Sequence, residues 1–253
     1  VTRRSVFVLS LCAVLLGTAV AVAYAPTAGF IISLVIGKRA KQKLDAVRIT
    51  LKRTDYENGA AKGEPYDVIF TYRSAGKVRR EWTDKEGKHV RVSDGTRMLR
   101  VDGDKKSVGA ADPHLMDALW ATGNDEGERS AAQDRAMAVL TAWTVSDTPV
   151  SFSRMDGRIA WVVGAQSKQL DVPQVWVDKD DLLPLRMIYP EPAKDGQKPV
   201  LVDERLIKWG SSVGGDFYPA RRELYRAGAL VRVDELQKVD VTPKLDEREF
   251  KIE

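Results

Sequence analysis

The sequence predicts a mainly β domain of the α+β class: one antiparallel meander of about ten to twelve strands, with a helix in front and two helices inserted midway. Three observations carry this. First, residues alternate with a period of two, as in Tyr66, Val68, Phe70 and Tyr72 on one side against Asp67, Thr71 and Arg73 on the other. Second, explicit tight turns separate the alternating stretches: Ser74-Ala75-Gly76, Lys85-Glu86-Gly87, Asp94-Gly95 and Asp102-Gly103. Connections this short force neighbouring strands to run antiparallel. Third, the alternation stops at Asp112 and gives way, as far as Trp143, to apolar residues at helical spacing. No segment repeats with a period of roughly 20 to 50 residues and no low-complexity linker divides the chain, so one domain is expected over residues 24–253.

Residues 1–23 stand apart and read as an export signal. Arg3 and Arg4 form a basic start, Val6 to Leu16 is apolar apart from Ser10, and Ala21-Val22-Ala23 offers a small-x-small cleavage pattern, so a mature chain would begin near Tyr24. The alternative is an uncleaved membrane anchor, because residues 6–23 approach the roughly 17 to 25 residues of a minimal span. Cys12, the single cysteine, sits inside the apolar stretch behind Leu11, too early to carry a lipid; its loss with the signal leaves no disulfide and no thiolate metal site.

Pro26 ends any continuation of that segment. The apolar stretch Phe30 to Ile36 then runs into Lys38-Arg39-Ala40-Lys41-Gln42-Lys43, with Ile36, Ala40, Leu44 and Val47 at helical spacing. This predicts an amphipathic helix that enters a strand near Arg48. Early strands are expected at residues 46–55, 65–73, 77–84, 88–93 and 96–101. In the insertion at residues 112–143, Asp112 is placed to cap a short helix with Pro113 at its first position, bearing Leu115, Met116, Leu119 and Trp120. A polar loop at Gly123 to Gly127 separates it from a second helix over Ala131 to Trp143. Strands return at residues 149–154, 158–165, 173–178, 183–190, 199–209, 216–226 and 229–241, with a last one at 248–252.

The chemistry on offer is sparse. Only His89 and His114 are present, without a Gly-x-Ser-x-Gly elbow, a His-Glu-x-x-His pair or a phosphate-cradling glycine loop, so no catalytic residue, metal site or cofactor is assigned. An enzyme would have to rely on paired carboxylates, of which Asp178 and Asp180 are the candidates. Asp178-Lys179-Asp180-Asp181 lacks the glycine and distal glutamate of a calcium loop and reads as a hairpin turn. The formal charge of +4 falls to +2 without Arg3 and Arg4, too balanced for a nucleic-acid binder. The four cations at Lys38 to Lys43 suit either a solvated helix face or anionic headgroups.

The apolar residues say more. An antiparallel sheet this wide must hide one face, against a second sheet or around a cavity. Phe70, Trp82, Met98, Trp161, Trp176, Met187, Tyr189 and Trp209 are the large side chains available, either as plain core or as the wall of a pocket that the two inserted helices plug.

The order of elements, with four short stretches, resembles the periplasmic lipoprotein-localisation family, the outer-membrane lipoprotein carriers and their receptor relatives. The stretches are Leu44-Asp45-Ala46-Val47-Arg48-Ile49-Thr50-Leu51, Val92-Ser93-Asp94-Gly95-Thr96, Val175-Trp176-Val177-Asp178 with Leu183-Pro184-Leu185-Arg186, and Leu245 to Ile252. The resemblance implies a single curved, unclosed β-barrel with an apolar concave side under a helical lid. Phe70, Trp82, Met98, Trp161 and Met187 would then form the cavity wall, and Leu115, Leu119, Trp120, Met137, Leu140 and Trp143 the lid. Arg73 occupies the place of the family's lid latch, although Ser74 stands where the carriers have proline. The implied function is a non-enzymatic, monomeric periplasmic carrier that shields acyl chains of lipids or lipoproteins, receives them from an inner-membrane exporter and hands them to an outer-membrane acceptor. The alternative is a membrane-anchored sensor or scaffold that uses the same fold to bind a partner protein.

Overall fold

The computed structural model describes residues 26–112, 114–120, 122–191 and 199–252. The expected signal or anchor at residues 1–23 lies outside the described residues. The first helix, α1 (Ala28–Ala40), is capped by Thr27, whose side chain accepts from the Phe30 amide. It buries Ala28, Ile31, Ile32, Val35, Ile36, Arg39 and Ala40, a stripe at three- and four-residue spacing. The helix ends earlier than expected: Lys43 takes a left-handed φ of 50°, so Leu44 and Val47 leave the helical face and Val47 joins the sheet. The basic run is partly consumed in the fold, since Lys38 Nζ donates to the Asp181 carbonyl at 2.5 Å and Arg39 Nη1 to the Phe217 carbonyl at 2.7 Å.

Among the described residues fourteen strands follow, all paired antiparallel. The first group is β1 (Ala46–Glu57), β2 (Ala60–Ala61), β3 (Tyr66–Arg73), β4 (Lys77–Asp84), β5 (Gly87–Ser93), β6 (Arg97–Asp102) and β7 (Lys105–Ala110). The helices α2 (Leu115–Trp120) and α3 (Glu126–Ala142) intervene. The second group is β8 (Val150–Met155), β9 (Arg158–Val163), β10 (Gln174–Asp178), β11 (Pro184–Glu191), β12 (Val200–Ile207), β13 (Arg221–Arg226) and β14 (Ala229–Asp240). The sheet runs β7-β6-β5-β4-β3-β1-β14-β13-β12-β11-β10-β9-β8, with β2 attached to β1. The chain thus begins in the middle of the sheet, walks to one edge, crosses through α2 and α3 to the other edge, and walks back to meet its own first strand.

This is the expected open, curved antiparallel sheet with helices, and it holds two more strands than the upper expectation. The short β2 and the edge strand β7 were not expected. Lys105-Lys106-Ser107-Val108-Gly109-Ala110 is almost wholly exposed and carries little apolar signal, and its lysines suit an edge that must not recruit another strand. The expected last strand is instead a 3₁₀ turn, Glu247–Phe250, closed by a reciprocal capping box between Asp246 and Glu249. Phe250 packs on Val90, Val92 and Leu99, so the segment covers the outer face of β5 and β6, where no strand edge is free to pair.

The insertion also differs in detail. Asp112 does not cap α2 but pairs with Arg100 at 2.8 Å, and His114 Nδ1 accepts from the Met116 amide at 3.3 Å instead. The polar loop is shorter, because Asp125 accepts from the Glu128 amide at 2.7 Å and starts α3 at Glu126. The Asp178 cluster is a hairpin turn: Asp178 Oδ1 accepts the amides of Asp180 and Asp181 at 2.8 and 2.6 Å.

One buried cluster joins the apolar sides of all three helices to the concave face of the sheet, from Val47, Ile49 and Leu51 on β1 to Val175 and Met187 on the far half. A smaller outer cluster gathers Ala160, Val162, Trp176, Leu183 and Leu185. No helix among the described residues is long and apolar enough to cross a membrane.

Candidate functional site

Six residues expected to form a lid do come together. Leu115, Leu119 and Trp120 project from α2, Met137 and Leu140 from α3, and Trp143 caps α3; all but the partly buried Met137 are fully buried in the main cluster. Trp120 is fastened on several sides. Its Nε1 donates to the Phe217 carbonyl at 3.1 Å, the Arg39 guanidinium lies 4.1 Å from its ring centre, and Trp209 and Tyr218 flank it. Burial holds the Arg39 guanidinium down to about 9, with Asp216 opposing the shift.

The residues expected to form the cavity wall divide. Phe70, Trp82 and Met98 line a cavity of about 330 Å³ beneath α2, at the lower end of the roughly 300–1,000 Å³ common for ligand sites. Trp161 and Met187 lie farther along the sheet, packed in the main cluster and outside that lining. Arg73 reaches Glu247 in the C-terminal 3₁₀ turn at 3.2 Å, so its ion pair joins the sheet to the chain's end and not to α2 or α3.

What sequence reasoning missed is the charge in this cavity. Six arginines line it, Arg53, Arg80, Arg91, Arg222, Arg226 and Arg232, with Asp112, Asp117, Glu191 and Glu204 among them. Most are locked in pairs. Arg53 and Asp234 face each other across β1 and β14 with two bonds of 2.7 and 2.9 Å. Arg222 holds Glu204 through bonds of 3.0 and 2.6 Å and donates to Tyr218 Oη at 2.8 Å. Glu204, 1% exposed, also meets His114 Nε2 at 3.0 Å and accepts from Tyr189 Oη at 3.2 Å. Burial alone would raise the Glu204 carboxyl, yet Arg222 and His114 beside it hold it well below the usual carboxylate range. Asp234 is treated the same way by burial and by Arg53.

From the roof, Asp117 on α2 pairs with Arg80 on β4, and His114 packs edge-on against Trp143 and Tyr189, whose rings stack 4.2 Å apart. The helical cover is therefore tied to the sheet by polar contacts on both halves, to β4 through Arg80 and to β12 through Glu204. Two buried polar atoms of the cavity have no hydrogen-bond partner among the described residues: Tyr72 Oη and Asp117 Oδ1.

The missed charges did leave a signal. Arg80 falls in phase with Val78 and Trp82, Arg53 with Ile49 and Leu51, and Glu204 with Val202 and Leu206. A charge in the apolar phase of a strand marks a polar feature on the buried face. Nothing in the arrangement supplies a nucleophile with an adjacent base, and no group of three or more His, Cys, Asp or Glu side chains among the described residues could hold a metal ion.

Comparison with solved structures identifies the architecture. A LolA superfamily protein from Nitrosomonas europaea superposes with a TM-score of 0.52 at 12% identity, over 87% of this chain and 97% of that one. A putative outer membrane lipoprotein-sorting protein domain from Vibrio parahaemolyticus gives 0.51 at 9% identity, over 85% and 94% of the two chains. The fold is LolA-like. No family model matches the sequence, and no curated protein matches it.

Proposed function

We propose that this protein is a non-enzymatic carrier for an acylated amphiphile, a lipid or a lipoprotein, which it shields in the concave side of its open sheet. The observation that supports this best is that one continuous apolar cluster unites the sheet's concave face with helices inserted between its two free edges. Such a cover can move without breaking any strand pairing. The face it protects offers methylene contact of the same kind as an acyl chain, at about 0.8 kcal/mol for each methylene removed from water. The two solved structures share this architecture, one of them a lipoprotein-sorting domain by description. Export through residues 1–23, work in the periplasm and delivery towards the outer membrane, between an exporter and an acceptor, complete the proposal.

The test is native mass spectrometry of the full chain purified from the periplasmic fraction, followed by transfer of a fluorescent phospholipid between donor and acceptor vesicles. A lipid-sized adduct and protein-dependent transfer are the expected results. Protein that is free of adduct and inert in the transfer assay would overturn the carrier reading.

A further inference from the structure

The cavity under α2 is not a greasy tunnel. Val68, Phe70, Met98 and Met116 give it one apolar side, and six arginines supply the rest of its character. A guanidinium offers five N–H donors. Arg80, Arg226 and Arg232 each engage a single carboxylate through a single nitrogen: Arg80 Nη2 with Asp117, Arg226 Nη2 with Glu191, and Arg232 Nε with Asp55. Donors therefore exceed acceptors around this volume, although its carboxylates are all engaged, Asp112 by Arg100, Asp117 by Arg80, Glu191 by Arg226 and Glu204 by Arg222 and His114.

A second observation is independent of that surplus. Tyr72 is 1% exposed, and its hydroxyl has no partner among the described residues. Burial raises the phenol well above its ordinary range, and Tyr218 and Asp117 add to the rise, so it remains a donor at any physiological pH. On the roof, Asp117 Oδ1 is a buried acceptor likewise left open. Buried polar groups are normally paired, and an unpaired donor and an unpaired acceptor lining one cavity describe what would complete it. The missing group must accept from Tyr72 and the arginines and donate to Asp117.

We infer that this cavity is the headgroup site of the carried amphiphile, and that it takes an anionic phosphate bearing hydroxyls, with phosphate oxygens on the arginines and Tyr72 and a hydroxyl on Asp117. This rests on the carrier reading above. The same chemistry is offered by a phosphoglycerol lipid and by free glycerol phosphate, and the apolar side of the cavity favours the lipid.

The experiment compares phosphatidylglycerol, phosphatidylcholine and glycerol phosphate as ligands of the full chain, with adduct retention in native mass spectrometry and tryptophan fluorescence as readouts. Wild type should hold phosphatidylglycerol about tenfold more tightly than phosphatidylcholine, since the two share the phosphate but only the glycerol headgroup brings a hydroxyl for Asp117 and no cation among the arginines. Tyr72→Phe removes only the open hydroxyl, which meets the phosphate that both lipids share, so it should weaken the binding of each severalfold with its melting temperature unchanged or raised. Arg226→Gln, at a half-exposed position that tolerates exchange, should reduce the preference severalfold. Equal binding of the two lipids would overturn the headgroup inference and leave the carrier reading standing. Binding of neither would overturn the carrier reading and this inference with it. Glycerol phosphate binding as tightly as the lipid would uphold the anion chemistry and overturn the carrier reading. A lowered melting temperature in Tyr72→Phe would assign the hydroxyl a structural partner and overturn the inference.

Discussion

Replacing Glu204 by glutamine tests whether the charge beneath α2 holds the fold together. The substitution keeps shape and one acceptor but removes the carboxylate that accepts two bonds from Arg222, meets His114 and accepts from Tyr189, at a position 1% exposed. The buried Arg222 guanidinium is then left with Asp234 at 3.9 Å as its remaining acidic neighbour. Removing one partner of a buried pair costs roughly 3–5 kcal/mol, and the retained amide oxygen and Asp234 place this case near about 3 kcal/mol. For a chain of this size that lowers the melting temperature by about 6–12 °C. The dependence on pH gives a second signature. Because the native carboxyl lies below its ordinary value of 4.5, its contribution is fully present above that pH and is lost as pH falls through the native value. Urea unfolding of wild type and Glu204→Gln should therefore differ most at pH 7, and the difference should begin to shrink below pH 4.5 and close as pH falls toward the native value. A loss under about 1 kcal/mol at pH 7, or a difference that does not shrink in acid, would refute the reasoning and mark the network as electrostatically idle.

Two further outcomes follow from the same structure. Trp120→Ala should cost about 3–5 kcal/mol in urea unfolding, because the ring is buried among Trp209, Phe217 and Tyr218 and under Arg39; a loss under about 1 kcal/mol would make α2 a loosely held cover. His89, bonded to Asp102 at 2.5 Å and to Asp84 at 3.1 Å, is raised above its ordinary 6.5 chiefly by Asp102, against the effect of burial. Its stabilisation is thus complete below that pH and fades as pH rises through the native value; an NMR titration should show the elevated midpoint, and Asp102→Asn should lower it.

Much of the architecture was legible because a half-buried strand writes its orientation into every second residue. Tyr66 to Arg73 and Lys77 to Asp84 could be placed nearly to the residue on that ground. What escaped lacked this imprint: β7 has almost no apolar side to bury, and Phe250 is the one fully buried apolar side chain of the terminal turn, which ion pairs from Arg48 and Arg73 also hold. The first helix ends early because Ile31, Ile32, Val35 and Ile36 already form its buried stripe, whereas Leu44 lies beyond a left-handed residue. At the candidate site the legible part was the apolar part. Periodicity brought out Phe70, Trp82 and Met98, but charges in an apolar phase read as noise until their partners on distant strands are known. Arg53 and Asp234 stand 181 residues apart in sequence.

That distance gives the strand order a consequence for how the chain assembles. Within each half of the sheet, every pairing joins strands that are near neighbours in sequence, so each half is a local meander with modest loop-closure entropy. The exception is the seam between β1 and β14, which draws together the two ends of the domain. A slip of one residue at this seam would turn every side chain to the opposite face. There Arg53 sits opposite Asp234 and Asp55 opposite Arg232, each with its ion-pair partner. In any slipped register these cations and carboxylates would lose their partners, and the buried ones would be stranded without compensation. The charges that look out of place on a concave apolar wall thus serve as a proofreading key for the one long-range joint on which the whole sheet depends.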